Sequence, residues 1–215
     1  MSEALPPPDP SLFRALRKAD VYELNSPVRL ARIFPTGGTD PVTWQHFRNV
    51  GPLPTGRFDH HEVGATRGIW YGAANRIATG QHVDALLGAV AETYADTHTI
   101  DRSFNARHLV LCEPARALRL LRLDSTWLSA ARGNAAIFAG ARPRAQAWSR
   151  AIYDHYLDLD GLYYPSSNHP GSACVALYER AATALTVPRL LRRLDEPGLR
   201  PYLERVAHDL GWPLI

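Results

Sequence analysis

Cysteine and lysine are both scarce in this chain of 215 residues: there are two cysteines and a single lysine, Lys18. Two cysteines in this length exclude a disulfide scaffold, and their reduced form suits the cytoplasm, the expected location. No apolar run approaches 18 residues, which excludes a membrane-spanning helix. The N-terminus, MSEALPPPDP, is acidic and proline-rich and does not read as a secretory signal. Common catalytic and nucleotide-binding motifs are absent too. There is no GxxxxGK[ST] phosphate loop, no GxGxxG after a strand, and no HExxH, CxxC or GxSxG.

What the chain does have is arginine, which supplies 23 of its 24 basic residues against 21 acidic ones, for a net charge of +3. Genome composition accounts for such a bias. So does a need for planar, bidentate binding of phosphate or carboxylate at a few positions. The arginines are scattered among acids, with no cluster beyond Arg192-Arg193 and nearby Arg189, so direct nucleic-acid binding is not expected.

Length and a 46% hydrophobic content suit one domain. Three consecutive prolines mark residues 1–10 as a disordered tail, leaving a single domain over 11–215 that opens on a short helix at 11–19 capped by Ser11. Strands are expected at 28–34, 68–73, 108–112, 118–123, 161–164 and 174–178. Helices are expected at 82–98, at 143–158 and near the C-terminus, where Leu199, Tyr202, Leu203, Val206 and Leu210 form a stripe. The order shows no regular βαβ alternation, so the class is α+β.

Several residues sit where local rules fail, which is where functional groups concentrate. Arg32 shares a strand face with Val28, Leu30 and Phe34. A guanidinium there needs an anion, from an acidic side chain or a ligand phosphate, unless its head reaches water. Glu92 lies over Ala85, Gly88 and Ala89, a helix face small enough for another element or a ligand to approach. It reads as an acid, base or cation stabiliser, or as a plain solvent-facing glutamate. Gly56 precedes a second fork-shaped cation, Arg57. Tyr71 reads as core or as a platform for a planar ring. Ser166 follows a strand and Pro165, in a hydroxyl-rich loop, and reads as a hydrogen-bond donor or ordinary turn chemistry. The run Asp59-His60-His61-Glu62 reads as a solvated loop; no metal site is expected, because no second cluster has ligand spacing.

In order, these places read Arg-Ile-Phe, Gly-Arg-Phe, a tyrosine strand, Ala-Glu on a helix, and Tyr-Pro-Ser. Over about residues 28–180 this succession resembles the RES domain family, the toxins of RES–Xre toxin–antitoxin systems. The resemblance implies a fold like that of ADP-ribosyltransferases, a split mixed sheet with flanking helices that clamps NAD in a cleft. It implies degradation of NAD as substrate, by hydrolysis or phosphorolysis, with no prosthetic group. Transfer of ADP-ribose to a protein acceptor, or NAD binding without catalysis, are the alternatives. By position, Arg32, Arg57, Tyr71, Glu92 and Ser166 match the family's signature residues. The implied partner is an Xre-type helix-turn-helix antitoxin. Residues 181–215 carry no role from the resemblance.

Chemistry supports the same residue types. Breaking a nicotinamide–ribose bond develops positive charge on the sugar, which a carboxylate such as Glu92 stabilises. Arg32 and Arg57 suit a pyrophosphate, and Tyr71 offers a π-face to a cationic ring. Ser166 would hold a ribose hydroxyl or the nicotinamide amide.

Overall fold

The computed structural model describes residues 4–61, 66–78, 81–169 and 171–215. Its strands are β1 (Val21–Leu24), β2 (Leu30–Phe34), β3 (Ile69–Ala74), β4 (Arg76–Ala78), β5 (Gln81–Val83), β6 (His108–Cys112), β7 (Leu118–Arg122), β8 (Gly161–Pro165), β9 (Ala173–Tyr178) and β10 (Pro188–Arg193). Its α-helices are α1 (Ala85–Thr93), α2 (Thr126–Ala130), α3 (Ala136–Ala139), α4 (Arg142–His155) and α5 (Arg200–Leu210). Eight strands form one mixed sheet in the order β1-β7-β8-β9-β3-β2-β6-β10, and β4 and β5 form a separate hairpin. The class is α+β, in a single domain. Among the described strands only β7 and β8 pair in parallel. A parallel pair needs a long crossover, and here it carries α2, α3 and α4.

One face of the sheet is covered in two halves. Trp148 and Ile152 of α4 pack on Leu121, Leu162, Tyr164, Ala176 and Tyr178. Leu86 and Val90 of α1, with Leu203 and Val206 of α5, pack on Ala31, Ala73 and Leu109. The opposite face buries Leu30, Phe34, Trp70, Val110 and Leu177 beneath loop residues that include Trp44 and Phe47. The space between the two helical halves is where a cavity forms.

The sheet is hydrogen-bonded through all eight strands, but it opens at its centre. β2 and β3 pair only at Leu30↔Ala74 and Ala31↔Ala73. Beyond that point β2 stays with β6 and β3 stays with β9. Arg48 instead bridges Ile69 at the start of β3. The expected split is thus a local splay next to Arg32.

The N-terminal segment differs from expectation. Leu5 and Phe13 are buried against Trp127 and Trp148, and the Trp148 indole donates to the Pro6 carbonyl at 2.8 Å. The segment 4–10 is therefore anchored at Leu5 and Pro6, because α4 offers an apolar seat and a donor for a backbone with few partners of its own. No helix spans 11–19. Asp9, not Ser11, caps a 3₁₀ turn over Pro10–Leu12, and the Ser11 hydroxyl donates to Asp9. A second 3₁₀ turn at Lys18–Asp20 closes on the buried Asp20 carboxylate, which accepts from Arg14 and from the Arg17 N–H.

The central helix is shorter than the expected 82–98. Asp84 caps it by accepting from the Leu86 N–H, and residues 81–83 belong to β5. Val83, placed by periodicity in the helix stripe, falls among side chains outside the described set. Tyr202 is 55% exposed, so α5 buries Leu203, Val206 and Ala207 instead. Among the described residues no helix is long and apolar enough to cross a membrane.

Candidate active site

The cavity between the helical halves has a volume of about 460 Å³, within the range of small-molecule sites. Its floor is the sheet: Ala31 from β2, Tyr71 and Ala73 from β3, Tyr164 from β8 and Cys174 from β9. Ala89, Glu92 and Thr93 of α1 form one wall, with Asp96 just beyond. Thr55, Arg57, Phe138 and Arg142 form the other, and Arg32 borders the cavity beside the splay.

Glu92 is brought to this wall by close packing. A Cβ on Gly88 would lie 2.9 Å from the Ala73 Cβ and 3.1 Å from the Ser172 Cβ, so α1 sits directly on β3 and the 166–172 turn. The face of small residues therefore serves helix–sheet contact at Gly88 and borders the cavity at Ala89. One turn later Glu92 projects into the open. Its carboxylate accepts from the Ser166 hydroxyl at 2.5 Å. That hydroxyl oxygen itself accepts the N–H groups of Asn168 at 3.1 Å and His169 at 2.9 Å. With its lone pairs so engaged, the Ser166 proton points at Glu92. Ser166 is 4% exposed and does not line the cavity, so it is not positioned to hold a ligand group itself.

Burial raises the Cys174 thiol well above its usual value, and the neighbouring Glu92 charge adds to this. The thiol stays protonated beside the carboxylate. Tyr164 and Tyr71 are also raised well above the ordinary phenol, in both cases mainly by burial. Neither tyrosine ionises near neutral pH, which leaves Glu92 and Asp96 as the acids on the cavity walls among the described residues.

Tyr71 is held from behind. Its hydroxyl donates to Asp59 and accepts from the Phe58 N–H, both at 2.8 Å. Asp59 also receives both terminal nitrogens of Arg48, at 2.8 and 2.7 Å, and the Leu53 N–H at 2.8 Å. Gly56 is required by this arrangement, since a Cβ there would lie 2.1 Å from an Asp59 carboxylate oxygen. The solvated-loop reading of 59–62 is thus corrected: Asp59, His60 and His61 are fully buried. His60 meets Glu179 at 3.3 Å and His61 meets the Val50 carbonyl at 3.0 Å. Glu62 lies outside the described residues. Among those described, no group of three or more metal-ligating side chains comes together.

The cations are only partly satisfied. Arg57 donates to the Gly140 carbonyl at 2.7 Å. Burial lowers its pKa, and so does the nearby Arg142 charge. Arg32 donates to the His46 and Trp44 carbonyls, at 2.9 and 3.4 Å, and lies 5.4 Å from the Trp70 ring centroid. Among the described residues no carboxylate pairs with it. Burial, together with the Arg48 charge, brings its pKa down to about 10, so it remains a cation at neutral pH. Backbone carbonyls replace the anion that the sequence demanded.

The structure brings Arg32, Arg57, Tyr71 and Glu92 to one cavity and puts Ser166 directly behind Glu92. Asp59, Arg48, Phe138, Arg142 and Cys174 were not singled out as site residues. Gly56, three residues before Asp59, was the one local signal that pointed there; nothing local marks Arg142 or Phe138.

The RES domain family model matches residues 29–197. The chain belongs to the RES domain family. The match reaches past residue 180, so the RES domain takes in β10, to which the sequence resemblance had given no role. Neither a curated protein nor a solved structure matches the chain. All the cavity-lining residues named above fall within the matched span.

Proposed function

We propose that this RES domain is the toxin of a toxin–antitoxin pair and acts by breaking the nicotinamide–ribose bond of NAD. The observation that carries the reading is the Glu92 carboxylate, fixed by Ser166 and facing a cavity whose far side is cationic. Family membership supports it at the level of an NAD-processing enzyme.

On this reading Glu92 lies against the ribose and stabilises the positive charge that grows as the bond lengthens. The bond's electron pair goes to the pyridinium nitrogen, and nicotinamide leaves neutral. Water or phosphate then forms the new bond at the anomeric carbon. With water, Glu92 takes the proton; phosphate dianion needs no base. Arg57 binds the diphosphate at its proximal phosphate, Arg32 adds its positive charge from beside the splay, and the Tyr71 ring, locked by Asp59, faces the departing ring. Ser166 acts through Glu92, as a positioning residue. The products are nicotinamide and ADP-ribose or its 1″-phosphate; a protein acceptor would give ADP-ribosylation instead.

The test is nicotinamide release from NAD by the purified chain, with and without phosphate. Wild type releases it, and phosphate changes the sugar product if it is the acceptor. Equal background release by wild type and Glu92→Gln, with both binding NAD, removes the assignment. An Xre-type antitoxin would neutralise the toxin by covering the cavity mouth. Co-expression with the neighbouring reading frame tests this: toxicity is expected to fall and the two proteins to co-purify.

A further inference from the structure

The wall opposite Glu92 contains more positive charge than one phosphate needs. Arg142 lines the cavity at the first turn of α4, close enough to Arg57 for its charge to disfavour that of Arg57. It is exposed, and among the described residues it makes no hydrogen bond or ion pair. Arg57, by contrast, is tied to the Gly140 carbonyl, two residues before Arg142. Two like charges facing one cavity repel each other, and an anion that joins them relieves this. Phe138 lines the same wall and is only partly buried, so an aromatic face borders the two guanidinium groups. Phosphate binding by a planar fork and base stacking on a ring are the two contacts that recognise a nucleotide.

We propose that Arg142 and Phe138 form a nucleotide subsite that takes the ADP half of the substrate: Arg142 binds the distal phosphate and Phe138 stacks on the base. The subsite rests on the reading of the cavity as a dinucleotide site and extends it to substrate choice. It makes the enzyme select NAD over nicotinamide mononucleotide, which lacks the distal phosphate and the second base. Glu92, Tyr71 and Arg57 handle the part the two substrates share.

The experiment is calorimetric titration of ADP into wild type, Arg142→Ala, Arg142→Lys, Phe138→Ala and Arg144→Ala. Nicotinamide release from NAD and from the mononucleotide is followed in parallel. Among the described residues Arg142 has no partner to lose, so its variants are expected to fold. ADP binding is expected to weaken about 10- to 100-fold in Arg142→Ala, the worth of a hydrogen-bonded charge, and to recover in part with lysine. Phe138→Ala is expected to weaken it by about tenfold. Arg144→Ala, outside the cavity lining, leaves it unchanged. KM for NAD rises in Arg142→Ala while turnover of the mononucleotide holds. ADP binding that is absent, or indifferent to Arg142, overturns the subsite; so does equal loss on NAD and the mononucleotide. ADP binding that depends on Arg142, without nicotinamide release from either substrate, keeps the subsite and removes the proposed reaction instead.

Discussion

Asp59, behind the cavity floor, and Glu92, on the cavity wall, are two carboxylates held in opposite ways. Asp59 lies behind Tyr71, fully buried, and receives Arg48, the Leu53 N–H and the Tyr71 hydroxyl. Glu92 lies in front, exposed, with one hydroxyl from Ser166 and the protonated Cys174 thiol beside it. A carboxylate saturated with donors builds a wall and does no chemistry. One left partly unsatisfied in a cavity is available to a developing cation. The difference separates stability from activity, and mutations should separate them in the same way.

The largest effect is expected from Asp59→Ala. It leaves the Arg48 charge, the Leu53 N–H and the Tyr71 hydroxyl without their partner, and breaking such a buried pair costs about 3–5 kcal/mol. Urea unfolding should show this, and an unchanged midpoint would show that Asp59 is not a keystone. Glu92→Gln is expected to leave the midpoint in place while slowing nicotinamide release about 10²- to 10³-fold. A loss of stability equal to that of Asp59→Ala would erase the contrast.

Gly56→Ala attacks the buried carboxylate sterically, since the new methyl would need the place of Asp59. A destabilisation of about 1–3 kcal/mol is expected, as for other overpacked sites. Ser166→Ala should cost about 1 kcal/mol for the lost hydrogen bonds, with a larger share of its effect on turnover, because Glu92 loses its tether. A pH titration gives a signal of another kind. Glu179 is half-buried, which by itself would raise its pKa, but hydrogen bonds from His60, Tyr153 and the Gly68 N–H outweigh this and hold it at about 2. Its unfolded value is near 4.5, so the stabilisation is complete above that pH and is lost as pH falls towards 2. Glu179→Gln should flatten the stability profile over that window.

Much of the sheet was legible. The strands from Leu30, Ile69, His108, Leu118, Gly161 and Ala173 bury their apolar residues on two-sided surfaces, and both alternation and short apolar runs record this. β10 was not, since an edge strand exposes one side and its sequence, PRLLRR, reads as a charged surface. β1 was missed for a related reason: four residues at the other edge carry too little periodicity. The burial of Asp59-His60-His61 was invisible because polar residues read as solvated, and their partners Arg48, Tyr71, Val50 and Glu179 lie elsewhere in the chain. The packing of Leu5 and Pro6 was hidden in the same way, their seat on Trp148 being distant in sequence.

Sequence alone determined the α+β class and the main strands, because periodicity is a local property, and it singled out Arg32, Arg57, Tyr71 and Glu92, which border one cavity. Tertiary structure decided what each of them touches. It placed Ser166 behind Glu92, with its hydroxyl donating to that carboxylate. It gave Arg32 two carbonyls and a tryptophan face, where sequence had left open an acidic side chain, a ligand phosphate or water. It also brought Arg142 and Phe138 to the cavity, through a crossover whose path no local pattern records. Contacts between residues far apart in sequence exist only once the sheet has set the distances between them.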